Sequence, residues 1–363
     1  MTQFKFTKAS VLLSALFAAQ AMAGIKATVT LDKASFRANE DVVVRLTFTN
    51  PDTTPQKLLK WYTPAGGVKE NLFSITAGND VAEYTGIHIK RAAPTAADYL
   101  TLQPGQSVSY KVELTSLYNL PVSGNYEIRY HVETSGLTNP ALVNSAQVSK
   151  NIPVAPTTEL KSDAAFAQID VDARLQGAVE RPLLQTMAGS VSYSANCSAT
   201  QKSTIATAFS SAKTYAAGAY NYLSSYPTAT RANSARYKTW FGTYSSGNWS
   251  TATSNFNKIN SALVNQAVVF DCGCTDSYYA YVYPNQPYKI YLCKSFWSAP
   301  NTGTDSKAGT IVHETSHFTV VAGTDDLAYG QTAAKSLAKS SPTKALKNAD
   351  SHEYFAENTP AQN

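Results

Sequence analysis

Gly309-Thr310-Ile311-Val312-His313-Glu314-Thr315-Ser316-His317 is followed by Gly323-Thr324-Asp325-Asp326-Leu327-Ala328-Tyr329-Gly330, and these two stretches decide how the chain is read. On a helix, residues four apart leave the same face, so the imidazoles of His313 and His317 can share one Zn²⁺. Glu314 then projects beside them, where a carboxylate can take a proton from water. A hydrolytic zinc site needs a third protein ligand and one position left open. Asp326 follows a Gly-Thr turn that lets the chain double back, and is the nearest carboxylate able to return to the metal. Asp325 is its rival, and spacing alone does not choose between them.

The pattern HExxH followed by GTxDxxYG resembles the aspzincins, the deuterolysin-like metalloendopeptidases, over about the last 170 residues. The resemblance is closest to the peptidyl-Lys metalloendopeptidases. It includes Tyr281-Val282-Tyr283-Pro284-Asn285 and Asn348-Ala349-Asp350-Ser351-His352-Glu353-Tyr354-Phe355. It implies His313, His317 and Asp326 as ligands of one zinc ion per catalytic domain and Glu314 as general base. Tyr329 is implied as the donor to the oxyanion, a role a phenol can fill without ionising. Asp350 and Glu353 are implied as the S1′ pocket that binds a substrate lysine. Read from the residues themselves, Asp350-Ser351-His352-Glu353 also has the spacing of a capping box, with Asp350 as N-cap and Glu353 reaching back.

The chain has 363 residues, 44% hydrophobic and 15% charged, with a formal charge of +5 and no run of Lys or Arg. Length predicts two domains with separate cores. Without a basic run, nucleic-acid binding is not expected. Residues 1–23 read as a secretory signal: Lys5 and Lys8, the apolar run from Val11 to Ala19, then Ala21-Met22-Ala23 before Gly24. That run is far shorter than the ~20 residues needed to cross a bilayer, so no membrane anchor is expected. The four cysteines, Cys197, Cys272, Cys274 and Cys293, agree with export. Their spacing lacks the paired C-x₂-C of a structural zinc site. The resemblance implies the disulfides Cys197–Cys272 and Cys274–Cys293.

From Gly24 to about residue 152 the pattern changes to short β-branched and aromatic runs. They are Ala27 to Leu31, Asp41 to Thr49, Leu72 to Thr76, Ser107 to Leu114 and Tyr126 to Val132, separated by Gly, Pro and Asn turns. This predicts an immunoglobulin-like β-sandwich without the antibody disulfide. Residues 153–191, with Pro153, Pro156 and Pro182, read as a linker or activation segment. With the resemblance, residues 192–363 are expected to form the catalytic domain, a helix-rich α+β zincin fold. Helices are expected at Ser198 to Ser224, Ala235 to Ile259, Asp305 to Thr319, Thr332 to Ser340 and Pro342 to Phe355, with extended chain at Val268 to Phe270 and Tyr278 to Leu292.

The whole chain resembles a secreted bacterial preproprotein: signal, β-sandwich pro-domain, then a zinc endopeptidase. It is expected to act outside the cell as a monomer, on protein and peptide substrates, cutting on the amino side of lysine. Broad deuterolysin-like specificity is the alternative of the same chemistry. A secreted β-sandwich adhesin with a dead protease-like half is the alternative of another class. The pro-domain is expected to serve its own enzyme as intramolecular inhibitor or chaperone. An acidic S1′ pocket can be silenced by a lysine on a stiff loop, and Lys60, Lys69 and Lys90 are the candidates. Lys69 is favoured, because Pro64-Ala65-Gly66-Gly67 can carry a loop tip into a cleft. No lysine lies between Lys161 and Lys202. A lysine-specific enzyme therefore cannot cut itself immediately ahead of Cys197.

Overall fold

The computed structural model describes residues 24–134, 136–138, 158–171 and 189–362. The expected signal at 1–23 and much of the expected linker lie outside the described residues.

The N-terminal half is mostly strands, as expected. Lys26–Leu31, Val43–Thr49 and Ser107–Glu113 form an antiparallel sheet with Val43–Thr49 in the middle. A second sheet runs in the order Ser35–Phe36, Ala165–Ile169, Gly124–Thr134, Phe73–Ala77, Asp80–Val81. Alternation along each strand sends one face inward. Val44, Leu46 and Phe48 from the first sheet share one core with Tyr126, Ile128, Tyr130 and Val132 from the second. Phe48 and Tyr130 meet edge to face across that core, ring centroids 5.1 Å apart.

The expected linker contributes two strands to this domain. Thr158–Lys161 and Ala165–Ile169 both pair antiparallel with Gly124–Thr134. Ala165-Phe166-Ala167-Gln168-Ile169 has the alternation of a half-buried strand, with Ala167 and Ile169 in the core, while Pro153, Pro156 and Pro182 lie outside the described residues.

The C-terminal half is helix-rich. Ala199–Ser225 packs on Ser246–Asn265, and Ala208, Ala212, Ala216 and Ala219 keep its inner face small. Ser198 caps the first of these through the Gln201 backbone N–H, with the Gln201 side chain reaching back. The single helix expected from Ala235 to Ile259 is two, Ala235–Phe241 and Ser246–Asn265. The break falls at Gly242, whose φ of 79° suits glycine and whose missing Cβ leaves room for the Ala338 carbonyl. The helix expected from Pro342 is likewise divided, into Pro342–Ala345 and Ala349–Glu357. The N-cap position of the latter is Asn348, not Asp350, so the capping-box reading of Asp350 and Glu353 fails. Disulfides join Cys197 to Cys272 and Cys274 to Cys293.

The two halves share a sheet. Its order is Val191–Tyr193, Val268–Asp271, Lys289–Leu292, Ala280–Val282, and finally His88–Lys90 from the N-terminal half. The last pair is antiparallel, with Lys90 opposite Ala280, Ile89 opposite Tyr281 and His88 opposite Val282.

Candidate active site

The helix Lys307–His317 is buried along its entire length and starts at Ser306, whose side chain accepts from the Gly309 N–H. A side chain at 309 would collide with Glu357 and Glu353, so glycine there lets the acidic helix Ala349–Glu357 lie close. His313, Glu314 and His317 are all fully buried.

After His317 the chain reverses, and the Thr324 N–H bonds back to the Ser316 carbonyl. Asn348 holds the following loop by accepting the Leu327 and Ala328 N–H groups at 3.0 and 2.9 Å. Asp326 is thereby returned to the histidines. Its Oδ1 lies 3.2 Å from His313 Nε2 and its Oδ2 lies 3.5 Å from His317 Nε2.

Three observations test the fit of this group to zinc. First, ligand atoms at about 2.0–2.1 Å around a tetrahedral ion lie about 3.3–3.4 Å from one another, close to both separations just given. Second, His317 Nδ1 lies 2.8 Å from the Thr324 carbonyl, which can only accept, so Nδ1 carries the proton and Nε2 keeps its lone pair. Third, His313 Nε2, His317 Nε2 and both Glu314 oxygens are buried without a hydrogen-bond partner. Polar atoms so placed are costly unless a ligand engages them. The residues fit the metal. It is Asp326 rather than Asp325 whose carboxylate meets both histidines, while the Asp325 backbone pairs with Lys347 and Ala349.

Burial pushes the Glu314 carboxyl up to about 8, partly offset by His313 and by Lys90. Burial acts upward on Asp326 too, but His317 and His313 hold it below the usual carboxylate range.

The acidic pair faces a lysine. Lys90 Nζ lies 2.5 Å from Glu353 Oε2, 3.6 Å from Asp350 Oδ1 and 3.4 Å from Asp305 Oδ1. The rings of Tyr279 and Tyr354 stand 5.1 and 5.7 Å from the ammonium. Asp350 also meets His313 Nδ1 at 2.9 Å, so the pocket touches the histidine from behind. Burial raises both carboxyls, but Lys90 and His313 bring Asp350 below its ordinary value, whereas Glu353 stays above it.

Lys69, the lysine favoured from sequence, sits outside this pocket, donating to Tyr278 Oη at 2.8 Å. Lys60 reaches the Ala97 carbonyl. The lysine brought to Asp350 and Glu353 is Lys90, on a strand rather than on a glycine turn. Sequence reading also passed over Asp305, His88 and the Glu70–Arg91 ion pair. The one available signal was His88-Ile89-Lys90-Arg91 itself, a short run with alternation that can pair as a strand.

Tyr329 begins the helix Gly330–Ser340. Its hydroxyl lies 3.2 Å from the Ile89 carbonyl and 3.0 Å from Glu70, and accepts from Arg91 at 2.8 Å. The Ile89 N–H donates to Asp326 Oδ2 at 3.1 Å.

Comparison with known proteins agrees with this geometry. Residues 226–357 match the aspzincin M35 pattern, described as lysine-specific metallo-endopeptidase. The extracellular protease of Aeromonas hydrophila is 45% identical over 361 residues, 99% of each chain. The chain belongs to the M35 aspzincin family. A peptidyl-Lys metalloendopeptidase of Armillaria mellea is 39% identical over 333 residues, 89% of each chain. A solved zinc peptidase from Grifola frondosa is 49% identical, spanning 46% of this chain and 100% of that one, with a TM-score of 0.43. This aspzincin is a metalloendopeptidase, and the adhesin alternative is set aside. Among the described residues no helix is long and apolar enough to cross a membrane.

Proposed function

We propose that this aspzincin is a secreted zymogen whose mature form hydrolyses peptide bonds on the amino side of lysine, and whose immunoglobulin-like N-terminal domain inhibits it by filling the cleft. The observation that carries this reading is the seat of Ile89–Lys90. Lys90 enters a pocket of three carboxylates and two aromatic rings, while the carbonyl of the bond before it meets Tyr329.

His313, His317 and Asp326 would hold zinc. When bound, the ion supplies Lewis acidity and lowers the pKa of water to about 7. The remaining work falls to the chain. The edge strand Ala280–Val282 aligns an extended peptide by backbone pairing, as it aligns His88–Lys90. Glu353 and Asp350 bind the ammonium of a lysine placed just after the bond to be cut, a cation two carboxylates can share. Tyr329 donates to the carbonyl oxygen as it gains negative charge. Glu314 takes the proton of the attacking water and returns it to the leaving amine.

The same contacts explain silence in the precursor. Lys90 occupies the lysine pocket, and the Arg91–Glu70 ion pair holds the Tyr329 hydroxyl from the other side. Tyr62 donates to the Asp326 carbonyl and Thr134 to that of Leu327, which anchors the N-terminal domain on the metal loop. Export agrees with the two disulfides. Cleavage of a peptide library by the secreted, processed protein tests the reading. Cuts before lysine that vanish on zinc removal are expected, and equal cutting before neutral residues would overturn the specificity.

A further inference from the structure

Lys90 is not the only side chain that the N-terminal strand directs into the cleft. Residues two apart leave a strand on the same face, so His88 accompanies Lys90. Its position is fixed by pairing with Val282 and by the Ile89 N–H on Asp326. The His88 ring stands 4.8 Å from that of His317, centroid to centroid, and is buried. His88, His317 and Asp326 each offer a ligand atom, and these atoms lie within 4.8 Å of one another. His88 and Asp326 also border a cavity of about 240 Å³, shared with Tyr62, Glu70, His131 and Asp325.

A hydrolytic metal site keeps one position open, whereas a site with four protein ligands is closed and structural. We propose that in the precursor His88 gives an imidazole nitrogen to the metal held by His313, His317 and Asp326, closing the position that the mature enzyme keeps for catalysis. Inhibition then has two parts on one strand. Lys90 fills the specificity pocket, and His88 seals the metal. Departure of the N-terminal domain removes both together, so activation is coupled to opening of the metal's coordination. A further consequence is that the precursor holds its metal more tightly than the mature enzyme does.

The inference rests on the zinc reading given above, and the experiment separates the two. The full-length Glu314→Gln precursor, which is expected to lack turnover, is loaded with zinc and its imidazole ligands are counted by X-ray absorption at the zinc edge. The chain has five histidines, so the assignment is tractable. His352 is engaged with Asn255 and the Asn348 carbonyl, which leaves His131 as the control. Three imidazoles are expected in the precursor, two in the His88→Ala precursor and three in the His131→Ala precursor. Zinc should leave for a chelator at least about tenfold faster from the His88→Ala precursor than from its parent. Two imidazoles in the parent precursor would overturn the inference while leaving the zinc reading intact, as would a count of three that survives His88→Ala. A precursor that binds no zinc at all would overturn the functional reading itself. If His88→Ala does not fold, the parent and His131→Ala counts still decide the question.

Discussion

Lys90 Nζ and Glu353 Oε2 stand 2.5 Å apart with both side chains fully buried, one from each half of the chain. Such a pair gains its Coulomb energy where water does not screen it, but each ion has paid heavily for desolvation. It therefore acts less as glue than as a test of occupancy, because either partner left alone is strongly unfavourable. That asymmetry shapes what loss of Lys90 should do.

Lys90→Ala takes the buried ammonium away from Asp350 and Glu353 in a closed interface, a loss of about 3–5 kcal/mol from docking of the two domains. The variant precursor should cleave lysine peptides before processing, and its interdomain melting should move down. Lys69→Ala, at a partly exposed lysine bonded to Tyr278, should leave the precursor silent. A silent Lys90→Ala precursor beside an active Lys69→Ala one would reverse the assignment.

Glu314→Gln should keep the metal and lose turnover by about 10²–10⁴-fold, since the side chain keeps its shape but no longer accepts a proton. His317→Ala should lose both metal and turnover. Metal analysis alongside steady-state kinetics separates the two. Residual kcat above about a tenth of the parent in Glu314→Gln would remove Glu314 as the base.

Glu353→Gln in the mature enzyme should lower kcat/KM on lysine peptides by about 10²-fold or more, since a buried ammonium loses its nearest charge. Alanine peptides should be cut nearly as before. Asp350→Asn should be less selective, because Asp350 also touches His313 Nδ1. Equal losses on both peptides for Glu353→Gln would show a structural role instead.

Glu357 offers a pH test away from the histidines. It accepts from the Ser306 N–H and hydroxyl at 2.9 and 2.8 Å, and burial pushes its carboxyl up to about 8. A carboxyl raised in the folded state favours folding fully below its unfolded value near 4.5. That contribution is lost as pH rises through about 8. Glu357→Gln removes the titration and keeps an oxygen acceptor. The difference in melting temperature between pH 6 and pH 9 should therefore be smaller in the variant than in the parent, and an unchanged difference would count against it.

Much of the catalytic group was legible because its determinants are local. Four-residue spacing on a helix brings His313 and His317 together whatever surrounds them, and the alternation of Val43–Thr49 or Gly124–Thr134 states which face is buried. Helix ends were less legible. Gly242 ends a helix because the Ala338 carbonyl approaches it, and Asn348 rather than Asp350 occupies an N-cap position while its side chain holds the metal loop. Both depend on neighbours distant in sequence.

Sequence by itself determined the HExxH helix, the β-rich and helix-rich halves, and the acidic residues able to bind a lysine. Only the tertiary structure decided which lysine meets them and that residues 158–169 belong to the N-terminal sheet, and it brings to the histidines the aspartate that the resemblance implied, Asp326. The reason is physical. Periodicity and spacing act within one or two turns of chain, whereas a buried charge is satisfied by whichever opposite charge the packed fold delivers. Lys90 prevails over Lys69 because pairing of His88–Lys90 with Ala280–Val282 carries its side chain into a dry pocket of carboxylates, and no local pattern encodes that pairing.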